Sequence, residues 1–390
     1  MKAARYQERA TAVRTSGNKR LAHLIRGSTS RALNAWPPLP LGVYLRRPSG
    51  ENVFPLAEPS CQLFALGRHA LWQGVRALRI TRGDEVLVPA YHHGSEVEAL
   101  VRTGAVCRFY SGTDTLEPDE AELAELVGSN TRALLLTHYL GFPQDASRWR
   151  RWCDERELLL IEDAAQAWLA CAKGRPVGST GDASIFCLYK TFGLPDGAAL
   201  VSTPRAHDAS AASPRGTVRV LRRHAAWVRG RVPWQPGPAA LSEKSPLSLS
   251  DEFALGDPFS GPAAATVFLL PRVTALAASE RRRTNYRFFL NRFRERVPRP
   301  FNELPPEASP FLFPIETARK DAMLRRLACA GVRAFDFWSQ GHPLVPTRRF
   351  AAADRRRART VGLPVHQELR PGDLESIAEV VSVALDEDAG

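Results

Sequence analysis

The chain contains no uninterrupted apolar run approaching the roughly 20 residues that cross a bilayer, so an integral membrane protein is not expected. It has no CxxC pair. Its 6 cysteines (Cys61, Cys107, Cys153, Cys171, Cys187, Cys329) are scattered, which argues against a structural zinc site and a disulfide framework and suits small buried apolar residues. There is no GxSxG elbow, no GxxxxGK[ST] phosphate loop and no HExxH helix, and the histidines lack metal-ligand spacing. The opening MKAARYQERATAVRTSGNKR is basic but has no apolar stretch behind it, so it does not read as a secretory signal and a cytoplasmic protein is expected. Acidic residues are in deficit, 41 against 53 basic ones, for a net charge of +12. The triplets Arg281-Arg282-Arg283 and Arg355-Arg356-Arg357 lie in stretches with helical spacing, where charge usually marks a solvated face. With no nucleic-acid motif beside them, the expected partner is an anionic small molecule and not DNA or RNA.

What is present is an α/β rhythm. At 390 residues, two domains and an arm are expected. Residues 1–58 form the N-terminal arm, 59–203 a large domain, 204–260 an interdomain excursion, and 261–390 an interdomain helix with a small C-terminal domain. In the large domain, strands are expected at 85–89, 106–110, 134–137, 158–162, 184–189 and 198–202, separated by helices near 95–102, 118–126 and 148–157. Unbroken apolar strands joined by helices imply a mostly parallel sheet covered on both faces. The Pro-, Ser-, Arg- and Trp-rich stretch 204–258 reads as a long loop. From Gly261 one long helix is expected through Phe268 and on to Phe293, then a strand near 311–315 and helices near 321–330 and 373–385.

Ligands of open α/β sheets bind at the carboxyl ends of strands. Those ends carry Tyr91-His92-His93, Thr137-His138-Tyr139, Glu162-Asp163 and Lys190. An amine and a carboxylate on one rim suit pyridoxal phosphate (PLP): the lysine forms an imine, and the aspartate pairs with the protonated pyridine nitrogen. Its phosphate needs backbone N–H groups at a helix start, and Leu66-Gly67-Arg68-His69-Ala70-Leu71 offers one, with an arginine able to fork onto phosphate oxygens.

The segments RGDEVLVPAYHH, RALLLTHYLG, LLLIEDAAQAW, GRPVGSTGDASIF, YKTFGLPDGAALVS and LPVHQELRPGDLESIAEVV, in this order, resemble the DegT/DnrJ/EryC1/StrS sugar aminotransferases of the PLP fold-type I superfamily. The resemblance implies a large domain with a seven-stranded, mostly parallel sheet, a smaller C-terminal α/β domain, and a homodimer with sites at the interface. By position it implies Lys190 as the Schiff-base lysine and Asp163 as the partner of the pyridine nitrogen. Gln166 falls near the ring hydroxyl and His93 at the stacking aromatic. Gly67 and Arg68 fall on the family's glycine-threonine phosphate turn, and Cys187 on its phosphate-binding serine. Arg68 and Cys187 replace hydroxyl residues, and the family's asparagine-tyrosine-arginine turn is replaced by Gly256-Asp257-Pro258-Phe259-Ser260-Gly261.

The implied activity is transfer of an amino group from glutamate or glutamine to a keto substrate, such as a nucleotide-linked keto sugar or cyclitol. Two alternatives stay open: another PLP reaction on the same scaffold, and a cofactor-free homologue with a binding or regulatory role. Within the excursion, Arg229, Arg231 and Trp227 are candidates for a lid over an anionic substrate. The competing readings are a solvated basic loop and a basic-aromatic patch resting on an anionic membrane surface.

Overall fold

The computed structural model describes residues 32–49, 53–207, 209–212, 217–229, 253–346 and 349–386. Its centre is a seven-stranded sheet. The strands are β1 (Gln62–Phe64), β2 (Glu85–Pro89), β3 (Val106–Tyr110), β4 (Thr131–Thr137), β5 (Leu159–Asp163), β6 (Ala183–Cys187) and β7 (Ala198–Ser202). Their order across the sheet is β1-β7-β6-β5-β4-β2-β3, with β7 antiparallel to both of its neighbours and the remaining pairs parallel. The expected sheet is thus present, and β4, β5 and β6 are buried nearly throughout, as a sheet covered on both faces requires.

The covering helices follow from apolar spacing and caps. Helix α1 (Gly67–Ala77) and α2 (Ser95–Val101) pack Leu71, Val75, Val97 and Leu100 against β2 and β7 residues such as Val86, Val88 and Leu200. Asp119 and Asp145 cap α3 (Glu120–Leu126) and α4 (Ala146–Asp154), accepting from the N–H groups of Glu122 and Arg148. Such caps are worth about 1 kcal/mol each. Helix α4 buries Trp149, Trp152 and Cys153 against Leu134, Leu136 and Leu160 of the other sheet face.

The C-terminal unit has a three-stranded sheet of β8 (Leu312–Glu316), β9 (Phe335–Asp336) and β10 (Thr360–Pro364), in the order β8-β10-β9. Helices α9 (Lys320–Cys329), α10 (Ala351–Arg359) and α11 (Pro371–Asp386) accompany it.

Three expectations are corrected. The helix after Gly261 is two helices, α7 (Ala264–Val273) and α8 (Ala277–Phe293). Pro271 lies in the last turn of α7, and past its end the Thr274 N–H and hydroxyl both donate to Leu270 O, at 3.1 and 2.8 Å. The excursion is not all loop: Thr217–Arg229 forms α6, whose buried residues are Val220 and His224. The arginine triplets are not uniformly solvated. Arg282 is only 1% exposed and Arg357 5%, because each points inward and donates to main-chain carbonyls that would otherwise be buried without a partner.

Candidate active site

Parallel neighbours β5 and β6 deliver two of the predicted residues. Asp163 ends β5; β6 ends at Cys187, and the chain then turns through a one-turn helix, α5 (Leu188–Thr191), that carries Lys190. Lys190 is half-buried, with Nζ 5.9 Å from the centre of the Phe311 ring. Asp163 is buried and accepts the Ala165 N–H at 2.9 Å. Burial, reinforced by the nearby Glu96 carboxylate and opposed by Lys190, lifts its pKa to about 6.

Glu162, the neighbour of Asp163 on β5, is held by a separate network. His138 Nδ1 accepts the Gln144 N–H, which leaves the proton on Nε2, and this donates to Glu162 at 3.0 Å. Glu162 also accepts from the N–H groups of Gly178, Thr180 and Gly181, so its buried charge is fully partnered.

His93 lies after β2. Its main-chain N–H and that of Gly94 both donate to Glu96; burial works against that carboxylate's charge, but the neighbouring His92 and His93 imidazoles and these main-chain donors hold its pKa low. Burial lowers the His93 pKa to about 4, so the ring is neutral and presents a flat apolar face. Its Nδ1 has no hydrogen-bond partner among the described residues. The ring meets Phe253 edge-on at 5.8 Å and Trp338 at 6.4 Å. Phe253 also leans on Gly94, which has φ +121°; a Cβ added there would lie 2.6 Å from the phenyl ring. Gly94→Ala is therefore expected to destabilise the protein by about 1–3 kcal/mol through strain and overpacking, read as a lowered thermal midpoint.

Gly67 opens α1, and a Cβ on it would come within 2.5 Å of Cys187 Sγ. Cys187 is buried and its pKa is raised by that burial, so the sulfur is a thiol that meets the Gly67 N–H. Arg68 donates to Ala254 O at 2.5 Å, His69 pairs with Leu255 O at 2.8 Å, and Gln73 donates to Pro258 O at 3.2 Å. The end of the excursion, from Phe253 to Ser260, is thus laid along the start of α1 as a strap. Gln166 Oε1 accepts the Leu140 N–H at 2.8 Å, so its oxygen holds the Tyr139–Gly141 turn.

Of the lid candidates, Trp227 and Arg229 lie on α6. Trp227 lines a cleft with Asn34, Pro38, His366 and Arg370 that includes none of Lys190, Asp163 and His93. Arg231 lies outside the described residues. Sequence reasoning missed Phe253, Glu96, Trp338 and Arg282. Of these, Glu96 alone carries a local signal, an acidic residue at a helix start three positions after His93.

Residues 61–226 match the model of the DegT/DnrJ/EryC1/StrS aminotransferase family. The GDP-perosamine synthase of Vibrio cholerae is 34% identical over 139 residues, 35% of this chain and 38% of that protein. A dTDP-3-amino-3,4,6-trideoxy-alpha-D-glucose transaminase of Streptomyces venezuelae is 36% identical over 142 residues, 35% of this chain and 37% of that protein. The chain thus spans little more than a third of the length of these relatives. In structure it is similar to a putative sugar aminotransferase of Streptococcus pneumoniae in its PMP form (TM-score 0.63, 18% identity, 90% of this chain and 97% of that one). A DegT DnrJ EryC1 StrS aminotransferase from Brucella abortus is comparable (TM-score 0.60, 17% identity, 85% and 86%). The fold is that of these aminotransferase structures, and residues 61–226, less than half of the chain, are similar to the DegT/DnrJ/EryC1/StrS aminotransferase family.

Proposed function

We propose that this chain is a PLP-dependent aminotransferase that moves an amino group from an amino acid, glutamate or glutamine, to a keto sugar, nucleotide-linked in its preferred form. The observation that carries the reading is a half-buried lysine on the turn that follows one strand, beside a buried aspartate at the end of the adjacent parallel strand whose pKa is raised to about 6. A protonated pyridine nitrogen supplies the positive partner that such a carboxylate favours.

The residues present fit the cofactor. Asp163 suits its ring nitrogen, and the neutral His93 ring, with an unpartnered Nδ1, suits its face. The start of the 11-residue helix α1, where Gly67 packs so closely on Cys187 that a Cβ would lie 2.5 Å from its Sγ, offers main-chain N–H groups to its phosphate, with Arg68 beside it. When bound, the cofactor supplies an aldehyde that accepts and returns the amino group and a ring that withdraws electrons. Lys190 Nζ then carries the proton from the amino donor's Cα and delivers it again in the return half. Asp163 would hold the ring nitrogen's proton, and the buried Trp338 and Phe253 rings keep water from around His93.

A homodimer and a cytoplasmic location belong to the same proposal. Supporting the dimer, Leu45, Val218, Leu221 and Phe268 stand exposed on the 41–45 turn, α6 and α7, and Tyr44 stacks on Phe268. Among the described residues no helix is long and apolar enough to cross a membrane.

A second reading, a cofactor-free binding role, draws on the phosphate end, where Cys187 meets the Gly67 N–H and Ala254 O takes an Arg68 N–H. Visible absorption of the purified protein, followed by borohydride reduction and peptide mapping, separates the two. The aminotransferase reading expects a visible band, bleached by reduction, with the pyridoxyl group on Lys190. A protein that takes up no PLP, or takes it at Lys173, would leave only the second.

A further inference from the structure

We propose that Arg282 and Gln367 together are positioning residues for Lys190, clamping the turn that carries the lysine to the C-terminal half of the chain. The inference rests on the reading of Lys190 as the cofactor lysine.

A buried guanidinium ordinarily sits against a carboxylate. Arg282 does not. Its hydrogen-bond acceptors are all uncharged: Thr191 O at 2.7 Å, Pro310 O at 3.0 Å and Gln367 Oε1 at 3.0 Å. Burial draws its pKa down to about 9, which leaves it charged at neutral pH. Such a group is costly to bury, and neutral donors would serve to fill a core, so the bonds it makes point to what it secures.

They secure both sides of Lys190. Helix α5 has only 4 residues, so its last carbonyls lack helical partners. The carbonyl of Thr191, next after Lys190, receives two donors, Arg282 Nη2 and Gln367 Nε2 at 3.1 Å. Gln367 in turn holds Arg282 through its oxygen, closing a ring of three residues. The other arm of the guanidinium takes Pro310 O, directly before Phe311, the residue whose ring lies 5.9 Å from Lys190 Nζ. One side chain of α8 therefore fixes the turn that bears the amine and the aromatic wall beside it. Arg283, the next residue, reaches only Ala308 O and Glu280 and has no bond to the turn.

The test uses lysine reactivity in the cofactor-free full chain. A short pulse of formaldehyde with cyanoborohydride, followed by peptide mass mapping, gives the methylation rate of Lys190 relative to Lys173, whose side chain is 74% exposed. Loosening the clamp should let the turn open locally, so Gln367→Ala should raise that ratio by about threefold or more. Arg282→Lys keeps a charge and one donor for Thr191 O and should fall between wild type and Gln367→Ala, while Arg283→Lys should leave the ratio unchanged. Buried Lys320 reports general loosening. An unchanged Lys190 ratio in Gln367→Ala and Arg282→Lys, or an equal rise at Lys320, would overturn the proposal and leave the ring a plain packing device. A wild-type protein that binds no PLP would sink the aminotransferase reading while leaving these ratios as measured.

Discussion

Replacing Lys190 with alanine is expected to lower turnover by about 10³-fold or more, because the same amine both attaches the cofactor and moves the proton. Single-turnover mixing with glutamate, monitored in the visible, measures it directly. The spectrum should lose the band that bleaches on reduction while circular dichroism keeps the wild-type fold, since Lys190 is half-buried and makes a single aromatic contact, with Phe311. Lys173, ion-paired with Asp145 at the surface, supplies the control, and its alanine variant should react at the wild-type rate. Comparable losses in both variants would remove Lys190 from the chemistry.

Asp163→Asn should give two effects of opposite sign. Turnover falls by about 10²-fold or more, since an amide cannot hold a proton on the ring nitrogen. The cofactor-free variant is nonetheless expected to be more stable than wild type at neutral pH. The Asp163 pKa is raised from 3.8 to about 6, so between those values the folded state binds more protons than the unfolded one. The stability tied to this group is fully present below about pH 4 and is lost as pH rises through 6, a swing of up to about 3 kcal/mol. Asparagine keeps an oxygen for the Ala165 N–H and does not ionise, so the swing vanishes. The difference in thermal midpoint between variant and wild type should grow from pH 4.5 to pH 7.5. A difference that stays constant or shrinks across that window would mean that Asp163 is not the buried charge at issue.

The central sheet was legible because period and composition carry it. Glu85–Pro89, Val106–Tyr110 and Ala198–Ser202 form as expected, since an apolar run between turn residues has few other uses in a chain of this class. Asp163 and Lys190 were legible for a related reason: parallel strands place their carboxyl ends on one rim, and that follows from order alone. What was not legible depends on contacts between distant residues. Arg282 looks in sequence like its neighbours Arg281 and Arg283, and only the docking of α8 beneath the Thr191 turn turns it inward. Phe253 reaches His93 and Gly94 from across the chain, a closure with no local period to announce it. The break between α7 and α8 follows Val273, two residues past Pro271, and the apolar spacing on either side concealed it.

The face that carries the exposed apolar residues has a second property. Residues 41–47, 217–229 and 264–273 contain Arg46, Arg47, Arg219, Arg222, Arg223, Arg229 and Arg272, and no aspartate or glutamate. In a two-fold pair built on this face, each protomer would bring the same exposed arginines to its partner, while Arg219 lies 3.9 Å from Asp196 and Arg223 is turned in toward Trp36. Cohesion is then apolar and the charge is repulsive, so salt should act opposite to its usual effect on ion-paired interfaces. At about 0.1 M ionic strength the screening length is near 10 Å, enough to quiet such repulsion between protomers. Dilution into low salt, with no change in pH or temperature, is the condition that would part the subunits.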